Sequence, residues 1–209
     1  MQKFDVYLFD FDGTLFDTLS ASKYIFTKSY EHIGFPILES DILGFTREPI
    51  PISYARIGAP KEKLLDFYQQ LEHHVNSPES IALTQIYPDT YETLIDLKIL
   101  EAELGIVTSN HVKCVKSVLQ KFNMQTYFFS ALVGIKEAPK TKPDPSPILK
   151  ALEMLAYEGD KQKICYVGDS LNDCKAAIKA GIVPILLDRD HEYPNTPYLT
   201  IHSLKELLV

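Results

Sequence analysis

The chain has 209 residues, 45% hydrophobic and 23% charged, with 21 basic against 28 acidic side chains and a net charge of −7. That length accommodates one large domain, or a core carrying one insertion, and the apolar share excludes wholesale disorder. The acidic balance argues against nucleic-acid and anionic-membrane partners, which are bound by clustered Lys and Arg.

Val6 to Phe9 is an apolar run that ends in Asp10-Phe11-Asp12-Gly13-Thr14. It predicts a strand buried on both faces, followed by an abrupt turn at Gly13. Asp5 and Asp10 interrupt the first apolar stretch, so no secretory leader is expected. From about Asp17 to Thr84 the pattern is helical, without a convincing buried strand. Leu19, Ile25, Phe26, Tyr30 and Ile33 predict a helix that stops at Gly34. Shorter helical pieces are expected around Ser40 to Leu43 and Pro49 to Ile57, with Gly44-Phe45-Thr46-Arg47-Glu48-Pro49 a loop-like break between them. Pro60 opens a longer pattern through Leu64, Leu65, Phe67, Tyr68, Leu71 and Val75. The stretch carries 6 basic against 9 acidic residues, which marks no nucleic-acid module.

Tyr87-Pro88-Asp89 brings the chain back, with Asp89 and Glu92 spaced as a capping box. Apolar runs then recur at Leu104 to Val107, Ala131 to Val133, Ile164 to Val167 and Pro184 to Leu187. Helical patterns separate them. One runs through Val112, Val115, Leu119 and Phe122. Another runs through Ile148, Leu149, Leu152 and Leu155, behind Ser146 as N-cap and Pro147 in the first turn. A third covers Asp173 to Ala180 and stops at Gly181. The expectation is an α/β protein: a doubly wound parallel, Rossmann-like sheet core (1–16 and 85–209) with an inserted α-helical cap (17–84).

Polar clusters follow the apolar runs directly: Asp10-x-Asp12-Gly13-Thr14, Thr108-Ser109-Asn110, Lys142-Pro143 and Gly168-Asp169-x-x-x-Asp173. In an open parallel sheet, ligands bind beyond the carboxyl ends of the strands, so neighbouring strands would gather these clusters in one crevice. Several carboxylates in one crevice repel each other and raise each other's pKa. A hard divalent cation relieves that, and Mg2+ takes oxygen ligands. Thr108, the amides near Ser109 and Asn110, and the Lys142 ammonium are anion binders. An acidic metal site beside an anion cradle suits a phosphoryl group, with one carboxylate attacking and a second serving as acid and base.

The same four segments resemble the ordered motifs of the haloacid dehalogenase superfamily, over nearly the whole chain. The helical insertion resembles the cap of the phosphoglycolate phosphatase-like branch. The resemblance implies that Asp10 is the nucleophile and that Asp12 protonates the leaving oxygen and then activates water. Thr108 and Lys142 would hold the phosphoryl group, with Gly13, Ser109 and Asn110 alongside. Mg2+ would be bound by Asp10, the Asp12 carbonyl and Asp169, with Asp173 ranked behind them, orienting Lys142 or a water on the ion. The implied activity is Mg2+-dependent hydrolysis of a small soluble phosphomonoester (phosphoglycolate, a sugar phosphate or a nucleotide). A phosphomutase or an inorganic pyrophosphatase is the alternative on the same scaffold. In related enzymes a loop like the one around Arg47 faces the crevice, so Arg47 is either a contact for a carboxylate or second phosphate on the leaving group or a surface arginine paired with a neighbouring acid.

Other chemistries of the family fit less well. Dehalogenases lack the carboxylate at Asp12, and no lysine lies between Lys28 and Lys61 for imine chemistry. Ser22 stands where the mutase branch carries histidine. Where related phosphatases have Pro-Gly, this chain has Pro88-Asp89. A phospho-accepting receiver-type signalling module is the non-enzyme alternative, against which the motif order tells. His73 and His74 are adjacent and make a poor metal pair. Cys114, Cys165 and Cys174 form no C-x-x-C pair, no permitted N-x-S/T sequon occurs, and no uncharged stretch reaches a membrane span, so a cytoplasmic protein is expected.

Overall fold

A computed structural model describes residues 2–47, 50–124 and 128–209, apart from the side chains of Glu39, Leu43, Thr46 and Arg47. The chain enters as β1 (Val6–Phe9) and, after a tight turn, the two-residue β2 (Phe16–Asp17). Helices follow: α1 (Leu19–His32), α2 (Glu39–Arg47), α3 (Ile50–Arg56), α4 (Leu64–Val75) and α5 (Pro78–Leu83). After β3 (Gln85–Ile86), helices and strands alternate as α6 (Thr90–Ile99), β4 (Glu103–Val107), α7 (Val112–Lys121), β5 (Ala131–Val133) and α8 (Ser146–Leu155). The chain ends through β6 (Ile164–Gly168), α9 (Leu171–Ala180), β7 (Val183–Leu187) and β8 (Leu199–Ile201).

All four residues of β1 are buried, as a central parallel strand requires. It pairs in parallel with β4 on one side and β6 on the other, so that Phe9 lies opposite both Ile106 and Val167. The parallel sheet has the order β5-β4-β1-β6-β7-β8. The chain therefore builds outward from β1 in one direction, returns, and builds outward in the other. That reversal between β1 and β6 is a topological switch point, where a crevice opens beyond the strand ends. Val6, Leu8 and Tyr166 belong to a cluster with Ile148 and Ala151 of α8 and Ala176, Ala177 and Ala180 of α9. Small residues on α9 let that helix lie close to the sheet.

The chain divides into two compact units, Met1–Asp17 with Ile86–Val209, and Thr18–Gln85. The second is helical and packs around an aromatic core. The rings of Tyr30 and Phe67 lie 4.4 Å apart, and those of Phe26 and Phe45 4.6 Å. Gly44 to Arg47, expected as a loop-like break, is instead the second half of α2. Ile42 and Phe45, three residues apart, are both buried in the aromatic core. Burying both outweighs the cost of about 1 kcal/mol for a glycine inside a helix. Glu48 and Pro49 fall outside the described residues. Ser146 is the first residue of α8 and not its N-cap; that place falls to Pro145. The short β2 and β3, which pair with each other, and the edge strand β8 were not expected from the sequence. Among the described residues no helix is long and apolar enough to cross a membrane.

Asp89 occupies the N-cap of α6 but caps nothing with its side chain. Its carboxylate accepts both arms of Arg189 at 3.0 Å, the Ser203 hydroxyl at 2.8 Å and the Leu204 N–H at 2.8 Å. A bidentate, charge-assisted pair displaces the single local bond that the Asp-x-x-Glu spacing suggested. Burial alone would raise the Asp89 carboxyl, but these donors hold it below its ordinary value of 3.8. A depressed folded-state pKa contributes stability above the ordinary value, and that contribution disappears as pH falls through the folded one. Asp89→Asn is expected to cost about 2 kcal/mol near neutrality. Melting curves should show its deficit against the parent shrinking once pH falls below 3.8; a deficit constant with pH contradicts the pairing.

Candidate active site

β1 delivers Asp10 at its carboxyl end, where the Asp10 N–H donates to the Val167 carbonyl at 2.9 Å and continues the ladder. The chain then turns on itself. Leu15 and Phe16 both donate to the Phe11 carbonyl, and Gly13 donates to Phe16. Phe11, Leu15 and Phe16 are fully buried and anchor this turn, while Asp12 and Gly13 keep partial exposure. Gly13 has a φ of +74°, and a Cβ there would collide with the Asp169 carboxylate. Glycine at that position serves both the turn and the close approach of Asp169.

Thr108 directly follows β4 and is buried. Its hydroxyl accepts from the Asn110 N–H at 3.0 Å and donates to Asp12 Oδ2 at 3.3 Å. The Asn110 side-chain amide lies 3.5 Å from Asp12 Oδ1. The Asp12 carboxylate is thus turned toward the Thr108-Ser109-Asn110 segment. Ser109 itself is exposed at that strand end.

Lys142 has an 8% exposed side chain. Its Nζ lies 2.7 Å from Asp10 Oδ1, 2.7 Å from Asp173 Oδ1 and 2.9 Å from the Tyr166 hydroxyl. An ammonium has three protons, and these three acceptors account for them. Of the nearby lysines, Lys140 is 72% exposed and pairs with Asp144 at 3.6 Å, and Lys136 is exposed as well. Asp173 is held from its other side: its Oδ2 accepts the Ser170 N–H at 3.0 Å and the Ser170 hydroxyl, in the capping box of α9. A Cβ at Gly168 would run into the Asp173 side chain, so glycine there admits it against the strand end.

Tyr166 is the site residue that motif reading missed. It is fully buried on β6, donates to the Val107 carbonyl at 2.6 Å and accepts from Lys142. A signal was present: a buried hydroxyl inside an aliphatic strand requires partners, and Tyr166 stands three residues before Asp169.

Oxygens of Asp10, Asp169 and Asp173 all come within 4.8 Å of one another. Burial pushes the Asp10 carboxyl well above its ordinary value; Lys142 opposes this, while Asp173, Asp169 and Asp12 add to it. Burial, then Asp173, raises Asp169 to about 7. Burial lowers Lys142, but Asp10 and Asp173 outweigh it and keep the ammonium charged. One ammonium therefore sits beside three clustered acids, with Asp12 adding its charge from nearby, and this all-oxygen donor set fits a hard divalent cation. Arg47 ends α2, and its side chain lies outside the described set. His73 and His74 sit on α4 with rings 5.0 Å apart, in the helical unit. The cysteines are buried, and burial pushes the Cys165 thiol well up, which leaves it inert.

Comparison with known proteins places this geometry in a family. A family-wide model described as haloacid dehalogenase-like hydrolase matches residues 7–186. A pyrophosphatase PpaX from Bacillus velezensis is 32% identical over 177 residues, covering 83% of this chain and 78% of that one. A phosphoglycolate phosphatase from Cereibacter sphaeroides is 26% identical over 205 residues, covering 94% and 91%. A solved haloacid dehalogenase-like family hydrolase from Streptococcus pneumoniae shares the fold at a TM-score of 0.82 and 22% identity, over 100% of this chain and 98% of that one.

Proposed function

The chain belongs to the haloacid dehalogenase-like hydrolase family, and from that premise we propose a Mg2+-dependent phosphatase that works on small soluble phosphomonoesters through an aspartyl-phosphate. The observation that carries this reading is Lys142 wedged between Asp10 and Asp173, with Asp169 alongside. Asp10 would attack phosphorus, forming an acyl phosphate as the ester P–O bond breaks. Asp12, steadied by Thr108 and Asn110, would give its proton to the leaving oxygen. Asp12 would then take a proton from water as that water attacks the phosphorus, and the Asp10 carboxylate would be restored. Lys142 would hold Asp10 in place through Oδ1 and oppose the burial that raises its carboxyl. Asp173 is already engaged by Lys142 and Ser170, which favours a role in aiming Lys142. Thr108, Gly13, Ser109 and Asn110 would surround the phosphoryl oxygens. Asp10, Asp169 and the Asp12 carbonyl would hold Mg2+, with Asp173 behind them, and the charge of the ion would offset both the acids and the incoming phosphate.

The helical unit, inserted between the first strand and the rest of the core, would act as a cap that selects substrate and shields the reaction from bulk water. Arg47 would bind a carboxylate or second phosphate on the leaving group. Phosphate release across 2-phosphoglycolate, sugar phosphates, nucleotides and pyrophosphate tests the substrate class. The relative named phosphoglycolate phosphatase supports the phosphomonoester reading, and the one named pyrophosphatase PpaX makes pyrophosphate the second reading. Arg47→Ala should change the order of preference; an unchanged order removes Arg47 from the account.

Tyr166→Phe removes one oxygen from the Lys142 cradle and leaves the Val107 carbonyl without its donor. The expected result is a fall of about tenfold in kcat with KM little changed, and a stability loss of about 1–3 kcal/mol. Steady-state kinetics with p-nitrophenyl phosphate and a thermal melt check both halves. Unchanged kcat would leave Tyr166 a packing residue.

A further inference from the structure

Arg189, two residues beyond β7, belongs to none of the four motifs, yet it touches the turn that carries Asp12. One Nη donates to the Thr14 carbonyl at 3.0 Å, and the two Nη groups take both Asp89 oxygens at 3.0 Å. The guanidinium carbon stands 4.0 Å from the centroid of the Tyr87 ring. A bidentate partner and an aromatic face fix the plane of the guanidinium, so the second N–H of Nη2, whose first is given to Asp89, arrives at Thr14 from a set direction. Asp89 is immobilised in turn by Ser203 and the Leu204 N–H. On the neighbouring residue of the turn, the Thr90 hydroxyl donates to the Leu15 carbonyl at 2.8 Å.

Besides its buried anchors Phe11, Leu15 and Phe16, the turn has partners from outside. Its backbone bonds close Phe11 to Phe16 internally, but Gly13 supplies no side chain to pack. Asp12 therefore hangs on a turn held at Thr14 and Leu15 by groups from α6 and the segment after β7. We propose that Arg189, aimed by Asp89, is a positioning residue that sets the Asp12 turn for proton transfer to the leaving oxygen. The inference rests on the phosphatase reading above and adds a determinant of the acid step. Asp12 gives up its proton as the ester P–O bond breaks, and that proton matters more when the departing oxygen is more basic. A misplaced Asp12 would slow phenyl phosphate, whose leaving phenolate is strongly basic, more than p-nitrophenyl phosphate, which leaves readily unprotonated. A group that only stabilises the fold would slow both alike.

The experiment measures kcat and KM for both esters, with Mg2+, in the parent, Arg189→Lys, Arg189→Met and Asp89→Asn, each checked by thermal melt. The expected result for Arg189→Met is a loss of about 10²-fold on phenyl phosphate and about tenfold on p-nitrophenyl phosphate, at similar KM. Arg189→Lys should recover part of that difference. Asp89→Asn retains the guanidinium, so it carries the test if an Arg189 variant does not fold, and it should show the same asymmetry more weakly. Equal losses on the two esters, or none, in variants that fold overturn the positioning role while leaving the phosphatase reading intact. A parent protein that releases phosphate from neither ester overturns the phosphatase reading instead.

Discussion

Asp10→Asn is expected to abolish turnover, by about 10⁴-fold or more, while the protein still folds. The amide keeps an oxygen for Lys142 in place of Oδ1, so the contact that now measures 2.7 Å can persist. What it lacks is a lone pair basic enough to displace an alcohol from phosphorus, and no neighbouring group can take over. Asp173 is engaged by Lys142 and Ser170, and Asp12 is turned to Thr108 and Asn110. Folding should survive because burial already penalises the charged form of Asp10. Phosphate-release assays and a melting curve on the same preparation check both statements. Residual activity near the parental level would move the nucleophile elsewhere.

Lys142→Met is expected to lower turnover by about 10³-fold and, unlike Asp10→Asn, to destabilise the protein by about 3 kcal/mol. Methionine fills much of the same space but leaves Asp10 and Asp173 facing each other without the cation that lies 2.7 Å from both. Each carboxylate then raises the other's pKa, and the nucleophile spends more of its time protonated. The exposed Lys140 provides the comparison: Lys140→Met should stay within about 0.5 kcal/mol of the parent. Equal effects of the two lysine substitutions would contradict the assignment of Lys142.

How much of this was legible in the sequence depends on the range of the interaction concerned. Val6 to Phe9 reads as a central strand because burial on both faces leaves an uninterrupted apolar run. Parallel strands place their carboxyl ends on one side, so acids directly after such runs fall near one another; Asp10 and Asp169 follow strands adjacent in the sheet. Features decided by distant partners were not legible. The Asp89-x-x-Glu92 spacing suggests a local cap, yet Arg189, 100 residues away, takes the carboxylate. Gly44 suggested a break because the burial of Phe45 against Phe26 is a tertiary event. Leu199 to Ile201 form only three residues of edge strand with one buried side chain, too short a pattern to separate from a loop. Tyr166 combined a readable strand with a hydroxyl whose partners, Lys142 and the Val107 carbonyl, lie on other segments.

The central claim, that phosphoryl transfer passes through Asp10, is tested most directly by catching the transferred group. The parent protein, turning over p-nitrophenyl phosphate with Mg2+, is quenched rapidly in acid, digested and examined by peptide mass spectrometry. The predicted result is one phosphoryl group on the peptide containing Asp10, present only while substrate and Mg2+ are both supplied and absent from Asp10→Asn. Sustained, Mg2+-dependent turnover with the phosphoryl group on any other residue would contradict the account.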